Sequence, residues 1–249
     1  MIKDEDVAAK KEFIVIFFNV FENKIENVKK MLAQGFTEES LLLSCCYIGA
    51  LANFRYERSD DRDNFIKVIY DYSNQKDLFS KISWINLYKK GKDPTEKNRK
   101  GKPISNYLDI KTALLKKYDK KCNHQQEMDK EKIIEYLQSE LGSLDYMNLE
   151  TNLDKFSYAA VLYEEYRCAG VHEGSLAVTW DAKTGKPLFE KSEDGADIYY
   201  SSNTLCFSKE IIIGTLESIH SNLRKKCIME IKWPYELGCS MNSILDELS

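Results

Sequence analysis

The stretch SLLLSCCYIGALANF, residues 40–54, is apolar around nearly its whole circumference when wound as a helix. A helix with no polar face belongs among other helices, so a buried helix from about Glu38 to Tyr56 predicts a bundle built around it. Gly35 punctuates the chain just before it, Thr37 is a candidate N-cap, and Glu38 and Glu39 suit the positive helix end. Towards the N-terminus, Ile14, Phe17, Phe21, Ile25, Val28 and Leu32 recur every three or four residues and predict a first amphipathic helix. On the other side Asp61 is a candidate cap for a third helix through Phe65, Val68, Ile69 and Tyr72.

Beyond this core the pattern changes. From Tyr88 to Pro103 the chain reads YKKGKDPTEKNRKGKP, rich in lysine and punctuated by Gly91, Pro94, Gly101 and Pro103. This predicts an exposed, basic, flexible loop over 88–103, serving either as a solvated insertion or as a phosphate contact. Helical spacing resumes at 105–118 and 129–141, and again from about Leu153 to Ala169. After Gly174 the period shortens. LAVTWDAKTGKPLFEK alternates and turns at KTG, and DIYYSSNTLCF reads as a second strand pair, giving a β-hairpin insertion over 175–207. SKEIIIGTLESIHSNLRKKC then predicts a late helix capped by Ser208. The fold class expected is mainly α with a small β-hairpin element near the C-terminal third.

Composition narrows the function classes. A formal net charge of −4 over 249 residues provides no general attraction for a polyanion, so nucleic-acid binding would need a local basic patch. The cysteines are seven, an odd number without a C-x-x-C pair, and several lie in apolar runs. They read as small hydrophobes in a reducing compartment, with no zinc site expected. The N-terminal apolar run, Phe13 to Phe21, is interrupted by Asn19 and preceded by Asp4, Asp6 and Glu12, unlike a signal peptide. No run approaches the ~18 apolar residues of a membrane span. A cytoplasmic protein without membrane association is expected. There is no P-loop, no G-x-G-x-x-G and no nucleophile elbow, so no cofactor or metal is called for.

The chemistry concentrates in LYEEYRCAGVHEG, residues 162–174. Arg167 and His172 are five apart, about 140° around an uninterrupted α-helix, so they would not share a face. Gly170 is expected to leave helical geometry and swing the imidazole back towards the guanidinium, with Gly174 ending the element. A guanidinium fork and a ring that titrates near neutrality suit phosphoryl chemistry. The bare spacing is a weak signal. A structural reading stands beside it, in which Arg167 and His172 satisfy helix-end carbonyls and Arg167 bridges to Glu164. Tyr163 and Tyr166 fit packing better than base stacking at this spacing. His220 reads as structural, and His124 as exposed in a polar linker beside Cys122.

The wider stretch resembles the HEPN family (higher eukaryotes and prokaryotes nucleotide-binding domains), whose members carry an R-x(4–6)-H motif late in an α-helical bundle, often written LYRNxxVHEG. The matching residues are Leu162-Tyr163, Tyr166-Arg167, Val171-His172 and Glu173-Gly174. SLLLSCCYIGALANFRY also looks like the buried early helix of abortive-infection-type members, with Gly49 where an acidic residue is expected. The resemblance implies one HEPN-like domain over 1–249 and a metal-independent RNA endonuclease acting in defence or as a toxin beside an antitoxin or other partner protein. It implies a homodimer in which His and Arg of two protomers meet at a cleft. His172 would then be general base or acid for attack by the RNA 2′-hydroxyl, Arg167 would stabilise the phosphorane, and the product would be a 2′,3′-cyclic phosphate. Glu164, Tyr166, Cys168 and Glu173 would support the site or contact substrate. Cys168 stands where the family commonly has a polar residue, often Asn, and a thiol is only a weak donor. The alternative is therefore an inactive module of the same kind that binds RNA, a nucleotide or a partner protein without cutting.

Overall fold

A computed structural model describes residues 4–56, 60–90, 107–117, 127–142, 146–173, 188–201 and 204–237. Among these residues it is mainly helical, with a small two-stranded antiparallel hairpin. Among the described residues no helix is long and apolar enough to cross a membrane. The chain divides into two compact units, one made of Met1–Asn74 with Ile213–Ser249 and the other of Gln75–Ile212.

The first unit holds α1 (Asp4–Ala33), α2 (Thr37–Arg55) and α3 (Asp61–Tyr72). It also receives most of α11 (Lys209–Glu230). α2 is the buried helix that its sequence demands: Leu41, Cys45, Ile48, Leu51 and Ala52 are fully enclosed. Its start differs from expectation. Gly35 takes a left-handed φ of 91°, the turn is short, and Thr37 is already helical, so Phe36 occupies the cap position without a side-chain bond. α3 is capped by Asp60, which accepts from the Arg62 amide at 2.9 Å, one residue earlier than predicted. On α1 the buried stripe is Ile14, Phe18, Phe21, Ile25 and Val28. Phe18 replaces the predicted Phe17, whose ring instead meets Phe54 edge-on at 5.0 Å. His220 on α11 is buried and shares a 3.0 Å hydrogen bond with the Phe18 carbonyl through Nε2. A carbonyl only accepts, so Nε2 carries the proton. Burial holds the ring's pKa below the ordinary histidine value.

The second unit runs through α4 (Lys76–Phe79), α5 (Trp84–Lys90), α6 (Tyr107–Lys117), α7 (Lys130–Leu141), α8 (Tyr146–Leu153), α9 (Tyr158–Val161) and α10 (Ala169–Glu173). The hairpin follows, β1 (Ile198–Ser201) paired antiparallel with β2 (Thr204–Phe207) in the register Ile198 to Phe207 and Ser201 to Thr204. Ile85, Leu87, Ile110, Leu114, Ile133, Leu137, Leu149 and Leu153 form one apolar core. α5 carries helix through Lys90, into the expected basic loop, and 91–106 lie outside the described residues. The predicted KTG turn also lies outside them. The second strand pair forms as read, and Ser208 caps α11 by accepting from the Ile211 amide at 3.2 Å.

Candidate functional site

The motif sits on a helix that begins later than its periodicity suggests. Leu153 is followed by one 3₁₀ turn, Asp154–Phe156, and then by Ser157 in extended geometry. Ser157 Oγ accepts from the Ala160 amide at 3.2 Å and so caps a new helix. That helix starts deep: Tyr158, Ala159, Ala160 and Leu162 are fully buried.

From Leu162 to Cys168 the backbone widens into a π-helical turn, and the Ala169 amide reaches back five residues to the Glu164 carbonyl. Helix continues unbroken as α10 through Glu173. The expectation that Gly170 would leave the helix is therefore corrected, since Gly170 is helical and buried. A π turn closes hydrogen bonds between residues five apart, where an α turn closes those four apart, and so takes in more chain per turn. The widened turn therefore re-aims the side chains around Arg167 without breaking the helix.

Tyr166 points inward and is fully buried. Its oxygen accepts from the Phe207 amide at 3.0 Å, and its ring meets Phe207 at 5.4 Å and Phe189 at 6.4 Å. Tyr166 thus ties the motif turn to β2, in keeping with the packing reading. Arg167 is half-buried with its guanidinium 5.1 Å from the centre of the Tyr163 ring, one turn back. Glu164 and Cys168 are also half-buried, while Val171 and His172 are exposed. Glu173 is the last described residue of the helix, and its side chain lies outside the described residues. The motif thus has a rooted cation and, five residues on, an imidazole open to solvent.

A second polar cluster in the same unit escapes sequence reading. Glu127 is only 4 % exposed although it follows a polar run. Segment 81–83 is stitched on both sides, Ile82 N–H to the Met128 carbonyl at 3.0 Å, Ser83 N–H to Phe156 at 2.8 Å, and Tyr158 N–H to Lys81 at 2.9 Å. This brings the Glu127 carboxylate beside the first turn of the motif helix. It accepts from the hydroxyls of Tyr158 and Tyr200 and, at 2.9 Å, from the Trp84 amide. Burial pushes its pKa up to about 7 against the downward pull of those three donors. Tyr200 also lies 2.8 Å from Ser83 Oγ, and burial beside Glu127 keeps its own pKa well above the ordinary value. The partners sit at 84, 158 and 200 in the sequence, so no local pattern marks Glu127.

Among the described residues no group of three or more His, Cys, Asp or Glu is placed to hold a metal ion. Comparison with models of known protein families, with curated proteins and with solved structures gives no match for this chain.

Proposed function

We propose that the protein is a metal-independent RNA endonuclease of HEPN type, with Arg167 and His172 as its catalytic pair. The observation that carries this reading is the division of labour on one helix. Tyr163 holds the Arg167 guanidinium in place, and His172 stands in solvent where a substrate can reach it. A held guanidinium offers two parallel donors to a phosphate and loses little freedom on binding. An exposed imidazole can take the 2′-hydroxyl proton and return one to the leaving 5′-oxygen. The 2′-oxygen bonds to phosphorus, the 5′-oxygen leaves, and a cyclic phosphate remains. Arg167 would carry the extra charge of the phosphorane.

The same reading assigns a homodimer, because one protomer supplies a single pair and the composite site calls for two. A cytoplasmic defence or toxin–antitoxin setting, with an antitoxin or other partner protein, belongs to this proposal. Wild-type protein incubated with mixed RNAs in EDTA is expected to cleave them, and folded Arg167→Ala and His172→Ala variants to lose the activity. Wild type that is folded and inert would refute it.

One observation favours a second reading. Cys168 occupies the position after the arginine, and its half-buried thiol is a poor substitute for an amide that could orient substrate. A module that binds RNA, a nucleotide or a protein without cutting would then show binding by wild type with no cleavage.

A further inference from the structure

We propose that Glu127 is a proton-operated latch that fastens the start of α5 and strand β1 to the first turn of the motif helix. The proposal does not rest on the catalytic role of Arg167 and His172. It concerns a buried carboxylate with three neutral donors from three separate elements: the Trp84 amide of α5, the Tyr158 hydroxyl of α9 and the Tyr200 hydroxyl of β1. Lys81 is the cation that attracts it, from the stitched segment before α5, and acts through space.

Donor counting shows why protonation must rearrange the cluster. A carboxylate is acceptor-only, so it satisfies all three donors at once. One proton taken from solvent forms a single new O–H bond on Glu127 and turns one of its oxygens into a donor. One of its three partners must then become an acceptor, and an amide cannot. Tyr200 has an exit: its oxygen lies 2.8 Å from Ser83 Oγ, so its hydroxyl can swing to donate there while accepting from Glu127. Ser83 in turn accepts from the Asn86 amide at 3.3 Å, which makes it the cap of α5. While Tyr200 donates to Glu127 the Ser83 hydroxyl donates to Tyr200, so the swing forces Ser83 to turn its own proton elsewhere and disturbs the cap that it gives α5. Protonation at Glu127 is thereby passed through Tyr200 to the first turn of α5.

Of the groups that face Glu127, Tyr158 and Tyr200 present hydroxyls and Lys81 an amine, and burial beside Glu127 holds Tyr200 well above ordinary tyrosine. Burial of Glu127 places its own titration near neutrality, where the latch would respond to ordinary changes of pH.

The test is a pH titration of the full chain labelled with ¹³C at glutamate carboxyls, with amide exchange at Trp84 and Asn86 read alongside. The signal missing in Glu127→Gln identifies Glu127. Its midpoint is expected near neutral pH. Across that midpoint, exchange at Trp84 corrected for its intrinsic pH dependence should speed up about tenfold, the loss of charge assistance on one bond. In Tyr200→Phe, Glu127 should titrate higher and the Asn86 response should vanish. A Glu127 midpoint in the ordinary carboxylate range would overturn the proposal, as would amides that ignore its titration. Tyr200→Phe keeps the question answerable if Glu127→Gln does not fold, since its single shifted carboxyl signal identifies Glu127 equally.

Discussion

The Phe207 amide donates to the Tyr166 oxygen at 3.0 Å, so strand β2 hangs from the residue immediately before Arg167. The bond is buried on both sides, with the rings of the two residues edge-to-face at 5.4 Å. The motif turn and the hairpin are therefore one mechanical piece.

Tyr166→Phe keeps the ring and removes the oxygen, leaving the Phe207 amide buried without its acceptor. A loss of about 1–3 kcal/mol is expected in urea unfolding. Loss well below that range would mean that water replaces the phenol.

Arg167→Lys keeps the charge and discards the planar fork and its stacking on Tyr163. The variant should fold with stability close to wild type, while RNA cleavage should drop by about 100-fold or more. Cleavage within about threefold of wild type would show that a point charge suffices there.

Ser157→Ala removes the cap that starts the motif helix and should cost about 1–2 kcal/mol, with Ser157→Gly losing less of the cap's worth. Thermal melts of the three proteins give the ranking.

Glu127 sets a sign for the pH dependence of stability. Its folded pKa of about 7 lies above the ordinary 4.5, so between those values the folded chain binds more protons than the unfolded chain. Its contribution is then full below about pH 4.5 and is lost as pH rises through about 7. At about 1.4 kcal/mol per pH unit the interval comes to about 3 kcal/mol. The difference between wild type and Glu127→Gln, followed by urea unfolding from pH 4 to 8, isolates this slope. A flat difference contradicts the burial of an ionisable Glu127.

What could be read in advance followed the strength of local pattern. SLLLSCCYIGALANF has no polar face and so forms a buried helix in any packing, and the alternation in DIYYSSNTLCF leaves a hairpin as the simplest outcome. Errors of one residue, Asp61 for Asp60 and Phe17 for Phe18, arose where two neighbours of similar chemistry compete for a position. The motif helix was less readable. Apolar spacing runs evenly from Leu153 to Ala169 and conceals the break at Ser157. The π turn depends on where Tyr163 and Tyr166 must point to be buried, which only the tertiary fold decides. Glu127 is the extreme case, a charged residue in a polar run whose donors come from three distant segments.

The measurement that bears most directly on the central claim is the chemistry of the ends left on RNA fragments made by wild type in EDTA, beside His172→Ala. Fragments ending in 2′,3′-cyclic phosphate, absent from the His172→Ala digest, are the predicted result. Fragments carrying 3′-hydroxyl ends, or cyclic ends made equally well without His172, would contradict it.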